Sequence, residues 1–124
     1  MESYKLPKQS VQQIRKRDSA IDSAMKKATN IPFQTLTCCR EIMNLVLDAA
    51  QTGNSNCISD AGVAGEMAHA GAHGAALNIL INLKDIRDTI FCQNMEENTS
   101  QLLKETDERL VIIRDTVKNM LNND

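Results

Sequence analysis

Residues 59–83 read SDAGVAGEMAHAGAHGAALNILINL, a stretch with helical periodicity that is also unusually rich in glycine and alanine. Each of its glycines, Gly62, Gly65, Gly71 and Gly74, costs a helix roughly 1 kcal/mol relative to alanine. The usual compensation is the close approach of another helix or of a flat ligand. Tight helix–helix packing explains most of these small residues, so the stretch predicts one helix of a closely packed helical domain.

Three further helices are expected around this one. Apolar residues recur at helical spacing over residues 8–29, 32–52 and 88–121, and no segment alternates at period two for long enough to form a strand. Pro32 should separate the first two helices, because the residue before a proline is pushed out of helical geometry, and Gly53 should end the second. Residues 1–124 have room for a single domain. The expected fold is all-α, an up-and-down helical bundle of four main helices.

The same spacing predicts which residues face the core. The stripe of the first helix comprises Val11, Ile14, Ile21, Ala24 and Ala28. The inward residues of the second are Phe33, Leu36, Cys39, Met43, Val46 and Ala50. The last helix carries a heptad-like seam of Leu103, Thr106, Leu110, Ile113, Val117 and Met120.

Charge and cysteine content argue against several classes of protein. The formal net charge of −2 provides no electrostatic basis for nucleic-acid binding. The longest apolar run is far shorter than a membrane span, so no membrane partner is expected. Neither a signal peptide nor metal-ligand spacing of cysteines is visible, which predicts reduced thiols in a cytoplasmic protein. These thiols are Cys38, Cys39, Cys57 and Cys92.

Polar residues of the helix over residues 59–83 fall on two faces. Asp60 and Asn78 are about five turns apart and therefore share one face, which Gly71 and Asn82 continue. Asparagine is a mediocre helix former that competes for backbone hydrogen bonds, so two of them on a packed face suggest a binding partner. Ser59 precedes this face and could either cap the helix or contact a ligand.

The opposite face carries Glu66, His69 and His73, a spacing that could hold a transition metal. Di-metal helical bundles require a second such motif from another helix, and the sequence contains none. In the zinc-protease motif the glutamate lies between the histidines, whereas here it precedes both. The pattern therefore favours a partly exposed polar face, and no metal site is predicted.

Several motifs, in their order along the chain, resemble the formiminotetrahydrofolate cyclodeaminase/methenyltetrahydrofolate cyclohydrolase family. They are Tyr4-Lys5-Leu6-Pro7-Lys8, Ala28 to Pro32, Gly53-Asn54-x-Asn56-x-x-Ser59-Asp60-Ala61-Gly62-Val63, and Gly74-Ala75-x-Leu77-Asn78-x-x-Ile81-Asn82-Leu83-Lys84-x-Ile86-x-Asp88. The resemblance implies an all-helical domain that forms a homodimer or a higher even oligomer and binds a folate near the subunit interface. Family members typically begin with a further helical portion containing a Pro-Gly-Gly-Gly-Ser-type segment. This chain is accordingly expected to be the C-terminal portion of the full family domain.

The resemblance implies either release of ammonia from 5-formiminotetrahydrofolate to give 5,10-methenyltetrahydrofolate, or hydrolysis of the latter. Asp60 would supply a negative charge or a proton relay, and Asn78 and Asn82 would orient the pterin or a water. Expected substrate-binding residues are Ser59, Gly71, Lys84 and Arg87, the last two meeting the glutamate tail. A tetrahydrofolate derivative is the substrate, and no tightly bound cofactor is expected. The alternative is a truncated, non-catalytic helical dimerisation module.

Overall fold

A computed structural model of the chain describes residues 2–123 and shows a fold built from three long helices. These are α1 (Val11–Thr52), α2 (Ile58–Leu83) and α3 (Thr89–Asn122), with short 3-10 turns at Glu2–Lys5 and Ser55–Cys57. No strand occurs within residues 2–123. The prediction of an all-α fold is confirmed, whereas the prediction of four main helices is wrong.

The helix boundary predicted at Pro32 does not exist, because Pro32 lies inside α1. A proline in a helix interior costs about 3 kcal/mol because it removes one hydrogen bond and crowds the preceding turn. Packed residues on both sides of it offset this cost, since Met25 and Thr29 before it and Leu36 after it are all buried. The apolar face is therefore continuous through the proline, and tertiary packing keeps the helix intact.

Side chains cap the starts of α1 and α3. Ser10 accepts a hydrogen bond from the backbone N–H of Gln13, and the Gln13 side chain accepts one from the backbone N–H of Ser10. This reciprocal pair satisfies two amide donors that a helix start leaves open. Asp88 accepts a hydrogen bond from the Phe91 N–H at the start of α3. The expected cap at Ser59 is wrong, because α2 begins one residue earlier and Ser59 lies within its first turn.

The helices run up, down and up. Gly65 of α2 lies beside Val46 of α1, and Gly71 lies beside Cys39. The two helices therefore run in opposite directions. The guanidinium of Arg40 in α1 is 3.0 Å from the carboxylate of Glu105, which ties α1 to the parallel α3. Short connections at residues 53–57 and 84–88 permit this antiparallel order.

The core confirms most of the predicted inward faces. Leu36, Met43 and Ile113 are fully buried, as the patterns of the second and last predicted helices required. Of the stripe predicted for the first helix, Ile21 is buried as expected, but Val11 is 66% and Ile14 43% exposed. The residues that enter the core after Ile21 are Met25 and Thr29, each one position beyond the predicted Ala24 and Ala28. None of the helices described is long and apolar enough to cross a membrane.

Candidate functional site

A groove of about 420 Å³ between α1 and α2 brings together several of the predicted site residues. Gly71, Asn78 and Asn82 line its α2 side, as the shared helical face predicted. The α1 side is formed by Ala28, Ile31, Pro32 and Thr35, with Gly74 and Ala75 completing the α2 side. The groove thus combines two carboxamide side chains with a wall of small and apolar residues, which is typical of small-molecule sites.

The glycines of α2 differ in what surrounds them. A Cβ added at Gly65 would lie 3.2 Å from Cγ2 of Ile113, and one at Gly71 would lie 3.1 Å from Sγ of Cys39. One at Gly62 would lie 3.4 Å from Cγ1 of Val117. Packing explains Gly65 and Gly71, as predicted, whereas the distance at Gly62 is an ordinary van der Waals contact that a Cβ could make. A Cβ at Gly74 would meet nothing within 4 Å, so helix packing within the chain gives no reason for a glycine there, and the open space belongs to the groove.

Pro32 changes the hydrogen bonding of α1 beside the same groove. Because proline has no N–H, it cannot donate the usual hydrogen bond to the carbonyl oxygen of Ala28, four residues earlier. Both residues line the groove, and the Ala28 carbonyl oxygen lacks the N–H donor that a residue other than proline would provide. The helical periodicity does not predict the α1 wall, because it places a break between helices just before Pro32.

Lys84 and Arg87 lie in a neighbouring pocket at the end of α2. This pocket, of about 260 Å³, is also lined by Tyr4, Arg17 and Asp18. Arg87 is paired with Asp18 at 3.0 Å, yet its side chain is 76% exposed. Asp85 also lines the pocket, so Arg17, Lys84 and Arg87 share it with two carboxylates. Since Lys84 follows Asn82 by two residues, this pocket lies beyond the Asn82 end of the groove.

An ion-pair network anchors the connection between α2 and α3 to α1. The Lys26 ammonium is 2.8 Å from the Asp88 carboxylate and 3.1 Å from that of Asp22. The hydrogen bond to Lys26 lowers the pKa of Asp88, and the same bond raises the pKa of Lys26. Burial alone would raise the pKa of Asp22, but hydrogen bonds from the Arg87 N–H, at 2.6 Å, and from Lys26 lower it.

Asp60 and Ser59 lie at the other end of α2. Asp60 is 18 residues before Asn78, which places their backbones about 27 Å apart along one helix. Asp60 lines a shallow apolar depression with Ile42 and Leu45. Ser59 lines a larger groove of about 510 Å³ between α2 and α3, whose wall is mainly apolar. Within one chain the structure therefore does not bring Asp60 or Ser59 to the asparagine pair.

Glu66, His69 and His73 face α3, on a different side of α2 from the groove. The Glu66 carboxylate accepts two hydrogen bonds from the Arg114 guanidinium, at 2.6 and 2.8 Å. Both histidines contact Asp107, whose pKa is lowered first by the hydrogen bond from His73. Sequence spacing identified the α2 residues but could not identify Asp107 and Arg114, because these partners come from a distant helix.

Comparisons with known proteins agree with this architecture. A family model described as Formiminotransferase-cyclodeaminase matches residues 1–101. The methenyltetrahydrofolate cyclohydrolase of Methylorubrum extorquens is 38% identical over 98% of this chain and 59% of its own length. The formimidoyltransferase-cyclodeaminase of Rattus norvegicus is 30% identical over 90% of this chain and 20% of its own length.

Among solved structures, formiminotetrahydrofolate cyclodeaminase from Thermotoga maritima superposes with a TM-score of 0.80. Its sequence is 24% identical, and the match covers 96% of this chain and 57% of that one. At this identity the likeness concerns the fold. The chain spans less than two thirds of the length of these relatives.

Proposed function

Because this chain belongs to the formiminotransferase-cyclodeaminase family, we propose that it takes part in folate one-carbon metabolism. The reaction is either the conversion of 5-formiminotetrahydrofolate to 5,10-methenyltetrahydrofolate with release of ammonia, or the hydrolysis of 5,10-methenyltetrahydrofolate. The observation that carries the proposal is the groove between α1 and α2, where Asn78 and Asn82 meet the open wall at Gly74. No tightly bound cofactor is required by either reaction.

The groove suits the pterin end of a folate in shape and in hydrogen bonding. A pterin is a flat ring that carries amide and amino groups along its edge, and the missing side chain at Gly74 leaves room for a flat face. The carboxamides of Asn78 and Asn82 each offer donors and an acceptor, while the Ala28 carbonyl oxygen offers a further acceptor. These groups can pair with both kinds of polar atom on the ring edge.

The glutamate tail is assigned to Lys84 and Arg87 in the pocket beside the groove. Lys84 makes no ion pair with the described residues, and the Arg87 guanidinium is mostly exposed despite its contact with Asp18. Cations at this position can pair with the carboxylates of the tail. A folate would then run along α2, with the ring near Asn78 and the tail beyond Asn82.

Asp60 requires a second subunit if it takes part in the same reaction. The reaction develops positive charge at the carbon between N5 and N10, which a carboxylate stabilises. A two-fold pairing of antiparallel α2 helices, centred between the two positions, would bring Asp60 of one subunit next to Asn78 of its partner. This arrangement accounts for the shared helical face despite the distance of about 27 Å within one chain.

A homodimer is therefore part of the proposal, and the exposed side of α2 supports it. Val63 is 62% exposed, Met67 and Leu77 are each 69% exposed, and Ile81 is 55% exposed. Such a concentration of apolar side chains on one helix is typical of a protein–protein contact. Sedimentation analysis of the purified chain would give its mass in solution directly.

The activity is tested by following the absorbance of the methenyl group. A rise on addition of 5-formiminotetrahydrofolate indicates the cyclodeaminase, and a fall on addition of 5,10-methenyltetrahydrofolate indicates the cyclohydrolase. Asn78→Ala should weaken folate binding by about tenfold, as expected when one ligand hydrogen-bonding group is lost. Asn94→Ala removes an equally exposed asparagine from α3 and serves as the control. Binding that is unchanged in Asn78→Ala would remove this residue from the site.

The non-catalytic dimerisation module remains the second candidate, because the chain covers only 59% and 57% of two relatives. A folded dimer that binds no folate in calorimetry would support this candidate. Folate binding without turnover would instead indicate that the site is formed but that catalysis needs further residues.

A further inference from the structure

Two imidazoles from α2 and one carboxylate from α3 converge on the side of α2 that faces away from the groove. The Nε2 atoms of His69 and His73 lie 2.6 and 2.8 Å from the same oxygen, Oδ1 of Asp107. The two rings stack obliquely with their centroids 4.5 Å apart. One possible ligand atom from each residue lies within 4.8 Å of the others.

We propose that His69, His73 and Asp107 form a binding site for a divalent transition metal ion, with Zn²⁺ as the best match. Imidazole nitrogen and carboxylate oxygen are the ligands that zinc accepts, at about 2.0–2.2 Å. A site for one ion with three protein ligands and a water needs no second Glu-x-x-His motif, unlike a di-metal bundle. Asp107 supplies the third ligand.

The side chains must move to accept an ion, because the possible ligand atoms lie up to 4.8 Å apart and a tetrahedral zinc brings them closer. Two ligand atoms of a tetrahedral zinc are about 3.3 Å apart, so Asp107 must retreat by roughly half an ångström from each Nε2. The side chains of His69, His73 and Asp107 are 26%, 44% and 52% exposed, which leaves them free to adjust and leaves one side open to water. On binding, each Nε2 presents its lone pair to the metal, and protons held there pass to solvent.

Neighbouring charges define the limits of the site. Glu66 lies one turn before His69, but both of its oxygens are engaged by Arg114. It is therefore not a fourth ligand. The ion would join α2 to α3 and strengthen a contact made otherwise by the Glu66–Arg114 pair and apolar packing. Because the site and the folate groove are on different sides of α2, failure of either proposal leaves the other untouched.

The test uses untagged protein, since an affinity tag made of histidines would bind the probe. Metal is first removed by dialysis against a chelator, and the chain is then loaded with Zn²⁺ and freed of excess ion by gel filtration. We expect one zinc ion per chain by elemental analysis. With zinc at about 100 times its Kd, the Tm should rise by roughly 10 °C. Asp107→Asn and His69→Gln should each weaken zinc binding at least tenfold, as measured by calorimetry. Glu108→Gln changes an adjacent exposed carboxylate of α3 and should bind zinc as the unaltered chain does.

Cobalt distinguishes this site from the thiols of the chain. Co²⁺ held by two imidazoles and a carboxylate gives weak visible bands, whereas Co²⁺ held by cysteine adds an intense sulfur-to-metal band in the near ultraviolet. Absence of zinc binding, the sulfur band, or unchanged zinc affinity in folded Asp107→Asn would each overturn the proposal. If that variant fails to fold by circular dichroism, His73→Gln provides the same comparison.

Discussion

Gly65 and Gly74 belong to the same helix, yet their surroundings give them different physical roles. Gly65 is buried, and a methyl group there would press on Ile113, which is itself buried. Gly74 is exposed, and a methyl group there would enter open space beside Asn78. From the residue type alone, a glycine is known only to weaken the helix. The neighbouring atoms show whether it allows close packing, as at Gly65, or leaves room for a ligand, as at Gly74.

Alanine substitution at these two positions should change stability in opposite directions. Gly74→Ala should raise the free energy of unfolding by about 1 kcal/mol, because alanine is the better helix former and meets no obstacle. Gly65→Ala should lower it by roughly 1 kcal/mol, because overpacking a buried contact costs more than the helix gains. Denaturant unfolding measures both changes.

Folate binding gives the Gly74→Ala variant a second measurement. The added methyl group of Gly74→Ala should weaken binding by roughly tenfold, since it occupies space assigned to the flat ring. A Gly74→Ala variant that is more stable and binds folate unchanged would remove Gly74 from the binding site. Sedimentation of this variant should show the mass of the unaltered chain, which separates a binding effect from a loss of dimer.

At the scale of the element, α1 differs most from the prediction, because one helix spans the region where two were expected. Its proline lies in the middle of a helix of 42 residues, and packing against α2 and α3 continues on both sides. The helix retains Pro32 at a cost, and the carbonyl oxygen of Ala28, a residue that lines the groove, loses its usual helical donor. A costly residue beside a candidate site is expected where function, rather than stability, favours it.

Pro32→Ala should therefore stabilise the chain and impair binding. The free energy of unfolding should rise by about 2 kcal/mol, because the new N–H restores a hydrogen bond, while the more flexible unfolded chain offsets part of the gain. Folate affinity should fall once Ala28 regains its helical partner. Gln34→Ala, an exposed change in the same helix, should alter stability by less than about 0.5 kcal/mol and leave binding unchanged. A destabilised Pro32→Ala variant would contradict this account.

At the scale of the whole molecule, a few polar contacts set how the three helices meet. Lys26 joins α1 to Asp88 at the start of α3, and Arg40 joins α1 to Glu105. Asn44 and Arg109 are hydrogen-bonded between α1 and α3. Each of these contacts links residues far apart in the chain, so together they set the position of α3 along α1.

The Lys26 network predicts a defined pH window of stability. The pKa values of Asp22 and Asp88 are lowered, so their contribution is present above about pH 4 and is lost as the pH falls through the lowered values. The pKa of Lys26 is raised, so its contribution is present below about pH 10.4 and is lost as the pH rises through the raised value.

Lys26→Met should lower the Tm by roughly 4 °C at pH 7 in low salt. The difference in Tm from the unaltered chain should persist between about pH 5 and 9 and shrink below about pH 4 and above about pH 10.4. Lys27→Met changes an adjacent lysine with an exposed side chain and should show no such window. A constant difference from pH 3 to pH 11 would show that Lys26 acts through packing alone.

The sequence by itself determined the helical class, the inward residues of the second half of α1 and of α3, and the α2 face that carries Gly71, Asn78 and Asn82. These properties follow from local periodicity, which each helix expresses independently of its neighbours.

Tertiary structure alone decided the continuity of α1 through Pro32, the distinction between Gly65 and Gly74, and the partnership of His69 and His73 with Asp107. In each case the deciding contact joins residues that are distant in the chain or that come from different helices. Periodicity specifies the direction in which a side chain points, while packing determines what that side chain meets.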